Sequence, residues 1–285
     1  MIQSMTGFGK HVVQLPSKKI TIEIKSLNSK SLDLNARMPS AYREKELELR
    51  KTIANGLERG KIDFSLFIET TGTDATSKIN EDIVKQYMQQ LEQIAGGDDL
   101  KLLEMALRLP DAMKTEREEI DVEEYKAIQD TLTIALQEIN TFRTEEGAVL
   151  EQDFKQRIAS LESLLTQVIA IDPDRQTAVR ERLDKAVTDL KTEVDQNRFE
   201  QELIYYLEKY DITEEKVRLA NHLSYFTTTI NSADSNGKKL GFISQEIGRE
   251  INTIGSKANF APMQQLVVQM KDELEKIKEQ MLNVL

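Results

Sequence analysis

Residues 20 to 25 alternate strictly, with Ile20, Ile22 and Ile24 set against Thr21, Glu23 and Lys25. That is the period of a strand with one buried face. Leu32, Leu34 and Ala36 resume the alternation after Asn28-Ser29, which predicts a hairpin turning at those two residues. A first strand is expected near Ser4–Leu15. Another is expected where Ile62, Phe64, Leu66 and Ile68 alternate with Asp63, Ser65, Phe67 and Glu69. Pro39 and Ser40 open a helix between these strands, with Ser40 as its N-cap, and Arg59-Gly60 stops it after about Glu58. The order β-β-β-α-β predicts an α+β fold, a mixed sheet with a helix packed on one face.

Beyond the polar loop Thr70–Ser77 the period changes to that of helices. One is expected from about Glu81 to Ile94, Gly96-Gly97-Asp98-Asp99 breaks the pattern, and 100–146 reads as helical. From Gly147 a long helix is expected, because Leu150, Phe154, Ile158, Leu161, Leu165 and Val168 recur at steps of three and four. Asp172-Pro173 should end it, since proline disfavours helical geometry in the residue before it. Leu183, Val187, Leu190 and Val194 then mark a second helix, and the two together predict a long antiparallel arm. Such an arm buries little by itself, which favours packing between subunits. Two helices near 213–231 and 237–252 meet at Asn236-Gly237. The last, from about Pro262, presents Leu266, Met270, Leu274, Ile277 and Met281 as a seam. The expected organisation is an α+β domain at 1–96, a helical region with the arm at 97–196, and a helical carboxyl-terminal domain at 197–285.

Composition narrows the chemistry. With no cysteine in 285 residues, disulfides, thiolate zinc sites and cysteine nucleophiles are excluded. No run approaches the roughly 18 apolar residues of a membrane span, and the first residues lack the apolar core of a signal peptide, so a cytoplasmic protein is expected. The net charge of −11 is uneven, with twelve Lys/Arg against eight Asp/Glu in residues 1–69 and −15 left to the remaining 216. A phosphate backbone responds to such local basic surface, not to the whole-chain total.

The stretch NGKKLGFISQEIGREINTIGSK at 236–257 holds the densest polar chemistry. Glu246 and Glu250 lie four apart on one helix face and repel unless a cation, a divalent metal or Arg249, sits near them. Asn252, Ser256 and Lys257 follow, able to face a phosphate. A second cluster holds Arg198 and Glu202, then Glu214, Arg218 and His222 at four-residue steps. His222 is one of two histidines, the other being His11, and an imidazole can move a proton near neutral pH or bind a metal. Charged helix faces are also common where nothing binds. There is no GxxxxGK[ST], HExxH or G-x-S-x-G, and two histidines cannot build a three-histidine zinc site. Carboxylate chemistry with basic helpers remains, which suits Mg²⁺ or Mn²⁺.

These blocks resemble the YicC/YloC family of bacterial stress-associated endoribonucleases along essentially the whole chain. The likeness is carried by Ile2-Gln3-Ser4-Met5-Thr6-Gly7-Phe8-Gly9, Glu23 to Asn28, Leu32-Asp33, Arg37-Met38-Pro39, Arg59-Gly60-Lys61 and Thr144-Glu145-Glu146-Gly147. It is most specific at Asn197 to Glu202, Asp211-Ile212, Glu214-Glu215, Arg218-Leu219, His222, Gln245-Glu246, Arg249-Glu250, Asn252-Thr253 and Ser256-Lys257. Gly248 departs from the asparagine usual there. The resemblance implies an RNA-cleaving enzyme that needs a divalent ion and works as a hexamer whose arms close around RNA. On that footing Glu202, Glu246 and Glu250 are expected to hold the metal, with His222 and Arg249 completing the catalytic set. Lys25, Lys30, Arg37, Arg59, Lys61, Arg198, Arg218, Asn252 and Lys257 are expected to contact RNA. A rival expectation is a non-catalytic RNA-binding adaptor that presents transcripts to another nuclease.

Overall fold

The structure, a computed structural model, describes residues 2–71, 78–114, 120–189, 195–232 and 236–285. Its amino-terminal part is a four-stranded sheet in the order β1-β2-β4-β3. The strands are β1 (Gly7–Gln14), β2 (Lys18–Leu27), β3 (Leu32–Arg37) and β4 (Gly60–Thr70). The α+β reading holds, but the expected hairpin between the second and third strands does not form. β2 instead pairs antiparallel with both β1 and β4, while β3 runs parallel to β4 on its far side. Burial explains the choice. Ile20, Ile22 and Ile24 on β2 and Ile62, Phe64 and Leu66 on β4 are all at most 3% exposed, so these two strands take the centre of the sheet. β1 and β3, with half-buried inward rows, take the edges.

The β3–β4 crossover contains a 3₁₀ segment, Ser40–Lys45, before α1 (Glu46–Leu57). Ser40 therefore caps no α-helix. The helix stops where Glu58 adopts a positive φ of 44°, and Gly60, at φ 127°, already begins β4. A small unit follows, made of β5 (Lys78–Ile79), α2 (Glu81–Ala95), α3 (Asp99–Ala106) and β6 (Met113–Lys114), around Val84, Ala106 and Ala112. Of the expected loop at 70–77, residues 72–77 lie outside the described residues.

The spine of the molecule is α4, a single helix over Val122–Asp189. At about 1.5 Å per residue its 68 residues reach about 100 Å. Ile128, Leu132, Ala135, Leu136 and Ile139 on its first third join the core beneath the sheet. Phe154, Ile158, Leu161, Leu165 and Val168 on its middle third join a second core with the carboxyl-terminal helices. Gly147 is not the start of a helix but a crossing point. A Cβ there would stand 2.1 Å from the Ile2 carbonyl oxygen, so only glycine admits the amino-terminal segment.

Pro173 does not end α4. Asp172, 3% exposed, accepts from Arg175 Nε and Lys216 Nζ, each at 2.7 Å, and so ties both sides of the proline to a neighbouring helix. Tertiary hydrogen bonds thus offset the bond the proline removes. The two helices expected to pair on either side of Pro173 are one continuous helix, α4, so no antiparallel arm turns there. α5 (Gln196–Lys209) returns beside the distal third of α4, where Leu183 and Val187 share a cleft with Phe199, Leu203 and Tyr206. Leu190 and Val194, expected on the same apolar face, lie outside the described residues.

Three further helices complete the carboxyl-terminal bundle, α6 (Thr213–Ile230), α7 (Gly237–Lys257) and α8 (Ala261–Met281). The chain ends meet. Met5 N donates to Asn283 O at 2.7 Å, and Leu285 N donates to Gln3 O at 2.9 Å. No helix among the described residues is long and apolar enough to cross a membrane.

Candidate active site

α6 and α7 form an antiparallel pair because each carries one apolar row. Leu219, Leu223, Phe226 and Ile230 face Leu240, Ile243, Ile247, Ile251 and Ile254, none more than 5% exposed. Polar residues flank that row along one edge. At one end Lys257 Nζ donates to Glu215 Oε1 at 2.7 Å and to the Asp211 carbonyl at 2.9 Å. At the other, Lys239 Nζ lies 4.9 Å from the Tyr225 ring centre. These contacts fix the register, and helical periodicity fills the space between them. Glu246, Glu250 and Thr253 follow Lys239 on the α7 edge, and Arg218 and His222 lie between Glu215 and Tyr225 on the α6 edge. The two motif blocks are thus brought to one seam.

Within that seam the carboxylates differ. Glu246 is satisfied by Arg249 Nη1 at 2.5 Å, an exposed pair one helical turn long. Glu250 is 8% exposed. Its side chain has no hydrogen bond or ion pair to any described residue. Its oxygens are not among the fully buried unpartnered atoms, so the carboxylate reaches solvent at the seam edge, where a cation or donor can meet it. His222, half-buried, is equally without a partner among the described residues. Glu215 is 6% exposed, and its second oxygen, Oε2, has no hydrogen-bond partner among the described residues.

Other expected members stand elsewhere. Glu202 is not brought to Glu246 and Glu250. It is exposed on α5 beside Arg198, in the distal cleft of the arm with Leu183 and Val187. Sharing a sequence block with α6 did not put it on the seam, because Tyr210-Asp211-Ile212 turns the chain between the two helices. Among the described residues no group of three or more His, Asp or Glu is placed to hold a metal. Asn252 is exposed and, two residues from Glu250, points from a different face of α7. Lys257 is engaged by Glu215 and Asp211, and Arg218 by Glu214 at 2.5 Å. In the amino-terminal part, Lys25 and Arg37 line one cleft on the solvent face of the sheet, with exposed Lys61 on the same face and Lys30 in the β2–β3 connection. Arg59, half-buried, donates from Nη2 to the Val284 carbonyl at 2.9 Å and so clasps the chain end.

Two family models match the chain, the amino-terminal region of YicC-like endoribonuclease over residues 2–152 and its carboxyl-terminal region over 168–285. The chain belongs to the YicC-like endoribonuclease family. A probable endoribonuclease YicC from Clostridioides difficile is 32% identical over 293 residues, and one from Haemophilus influenzae is 32% identical over 292, each match covering both chains in full.

Family likeness gives the Gly248 departure a structural meaning. A Cβ on Gly248 would meet Leu274 Cδ2 at 3.2 Å and Lys278 Nζ at 3.8 Å, both on α8. The position lies across α7 from Glu246 and Glu250. An asparagine there would reach α8 and not the seam, so glycine at this position leaves the α6/α7 edge unaltered.

Sequence reasoning missed Glu215 as a seam residue. Its signal is a carboxylate at a position that fits the apolar period running from Ile212 to Leu219, Leu223 and Phe226. A charged residue in such a row is buried with a partner, and here the partner is Lys257.

A divalent ion fits the seam in part. Mg²⁺ keeps several waters and is commonly held by one or two carboxylates together with substrate phosphate. Glu246 and Glu250, one turn apart with Glu250 unpartnered among the described residues, supply that minimum within the chain.

Proposed function

We propose that the chain is a metal-dependent endoribonuclease, cutting single-stranded or structured RNA in the bacterial cytoplasm during RNA turnover or stress, with its catalytic groups on the α6/α7 seam. The observation that carries the reading is Glu250, a residue only 8% exposed whose carboxylate has no partner among the described residues, on the edge that also holds Glu246 and His222. Membership of the family, and the printed names of both relatives, support RNA cleavage as the reaction.

In this reading Glu250 and Glu246 hold a Mg²⁺ or Mn²⁺ ion, whose charge, when bound, stabilises the oxygens that develop negative charge at the phosphate. His222 accepts or returns a proton at the reacting oxygens. Arg249, 71% exposed in its side chain, can leave Glu246 for a phosphate when metal takes that carboxylate, and Arg218 acts beside it. Lys257 positions α7 against α6 and does not itself contact substrate. Arg198 guides RNA on the arm, and Glu202 reaches a seam only from a neighbouring copy. The assembly proposed is the hexamer implied by the family resemblance, supported by exposed Ile204 and Tyr205, at 56% and 58%, on a thin two-helix arm.

A non-catalytic adaptor is the second reading, favoured by the lack of a three-ligand group among the described residues. One assay separates them. A defined, end-labelled RNA is incubated with highly purified protein in Mg²⁺ and, in parallel, in EDTA. New internal ends that form only with metal support the enzyme. Intact RNA under both conditions rejects it in favour of the adaptor.

A further inference from the structure

The sheet packs one face on α1 and α4 and leaves the other to solvent. On the solvent face one cross-strand row runs Phe8, Lys25, Asp63, Asn35, each residue paired with the next across β1, β2, β4 and β3. Phe8 is 44% exposed, an aromatic ring where an edge strand ordinarily carries a polar residue. Lys25 Nζ lies 5.8 Å from the centre of that ring and forms no ion pair among the described residues. Asp63 Oδ1 accepts from Asn35 Nδ2 at 2.9 Å, which fixes the carboxylate and leaves Oδ2 open. The next row places Glu23, held by Lys10 at 2.8 Å, beside Ser65 and Arg37. Together these rows enclose a cleft of about 130 Å³ lined by Glu23, Lys25, Arg37, Asp63 and Ser65. Arg37 has no partner among the described residues.

We infer that this face is a platform for single-stranded RNA that stacks one base on Phe8 and reads a guanine edge with Lys25 and Asp63. The inference rests on the proposal that the chain acts on RNA, and it names what part of the RNA the amino-terminal part recognises. Proteins that read single strands stack bases on exposed aromatics and hydrogen-bond their Watson–Crick edges. A plain phosphate track would be uniformly basic, and this cleft is not. Asp63 repels phosphate, so the group it meets must bring hydrogen-bond donors, and base edges supply them as N–H groups. Guanine presents two such donors side by side, N1–H and N2–H, next to an acceptor, O6. An open carboxylate oxygen beside a free ammonium matches that order, and adenine presents the reverse. Arg37, across the cleft, is then available to the adjoining phosphate. Duplex RNA hides these base edges and is excluded from such a site.

The test is binding by fluorescence anisotropy in EDTA, so that nothing is cut, at one fixed salt concentration. The probes are a labelled oligouridine and the same oligomer with one central guanosine or one central adenosine. The parent protein is expected to prefer the guanosine probe over the adenosine probe. Phe8→Ala should weaken every probe by about fivefold or more, the scale of one lost base stack, and Phe8→Trp should retain binding. Asp63→Asn, a surface change that spares the core, should erase the preference for guanosine without weakening oligouridine binding, since it removes a charge that repels phosphate. Parental binding by Phe8→Ala, or a preserved preference in Asp63→Asn, overturns the inference. So does a change of oligomeric state in Phe8→Ala by sedimentation, because the face would then be a contact between copies of the chain. Should Phe8→Ala fail to fold, Asp63→Asn decides alone. The metal-dependent cleavage assay on the parent is independent of these outcomes. Cleavage with no effect of either variant sinks the platform alone, and guanosine preference without cleavage sinks the nuclease reading alone.

Discussion

Lys257 and Glu215 form the ion pair that sets α7 against α6, Nζ to Oε1 at 2.7 Å, with the Glu215 side chain 8% exposed and the lysine 32%. A lysine that looked available for phosphate is committed to holding a helix in register. Lys257→Met keeps the stem and deletes the charge, leaving Glu215 buried and uncompensated. Removing one partner of a buried pair is strongly destabilising, and discounting for the exposed lysine gives an expected loss of about 2–3 kcal/mol. A urea denaturation midpoint measures it. A midpoint equal to that of the parent would return Lys257 to the list of free cations.

Arg249 should behave in the opposite way. Its side chain is 71% exposed and its only bond among the described residues is to Glu246 on its own helix, so Arg249→Ala should leave the urea midpoint nearly unchanged. If it meets phosphate, RNA affinity falls and the slope of log affinity against log salt drops by about one. A titration at several salt concentrations reads both. An unchanged slope removes Arg249 from the RNA contacts.

Acid should loosen the arm from the bundle. Burial alone would push the Asp172 carboxyl up, but hydrogen bonds from Lys216 and Arg175 outweigh it and hold the group below the ordinary carboxylate range. A carboxylate whose proton affinity is lowered by folding contributes stability that is complete above about pH 4 and is lost as pH falls through its folded value. The parent should therefore lose stability between about pH 4 and pH 3 more steeply than Asp172→Asn does. Urea midpoints across that range test the sign, and equal slopes would contradict it.

Gly9 on β1 marks a contact with no slack. A Cβ there would sit 2.3 Å from the Ala135 carbonyl oxygen on α4, and backbone cannot step aside as a side chain can. Gly9→Ala is expected to destabilise by about 1–3 kcal/mol through overpacking, read as a lower midpoint. A stable Gly9→Ala protein would mean that the sheet and spine are not so closely seated.

Much of this fold is legible in the amino-acid pattern because alternation and helical period are local. The strand rows of β2 and β4, the apolar stripe from Phe154 to Val168 and the seam of α8 follow from spacing alone. What spacing cannot give is which strands become neighbours. β2 and β3 lie next to each other along the chain, yet β4 intervenes, because the two most apolar rows seek the middle of the sheet. The Pro173 stop failed for a similar reason. Local stereochemistry favours a break there, and Asp172, bonded to Arg175 and to Lys216 on another helix, reverses that preference. At the candidate site, Glu246 and Glu250 were recognisable from their four-residue spacing on one helix. The distance between Glu202 and that helix depends on where the arm turns, and no spacing records it. The buried pairing of Lys257 with Glu215 was hidden because solvated and buried charges look alike until their neighbours are known.

On the reading proposed above, the Glu250 carboxylate, unpartnered among the described residues, serves RNA cleavage. The most direct test is the initial rate of cleavage by Glu250→Gln in saturating Mg²⁺, with folding and oligomeric state shown equal to the parent. The shape-conserving amide keeps the side chain and deletes its charge. The predicted result is a loss of about a hundredfold or more, the scale reached even by groups one layer beyond a metal's own ligands. Cutting at the parental rate would contradict the assignment and move the active centre away from the α6/α7 seam.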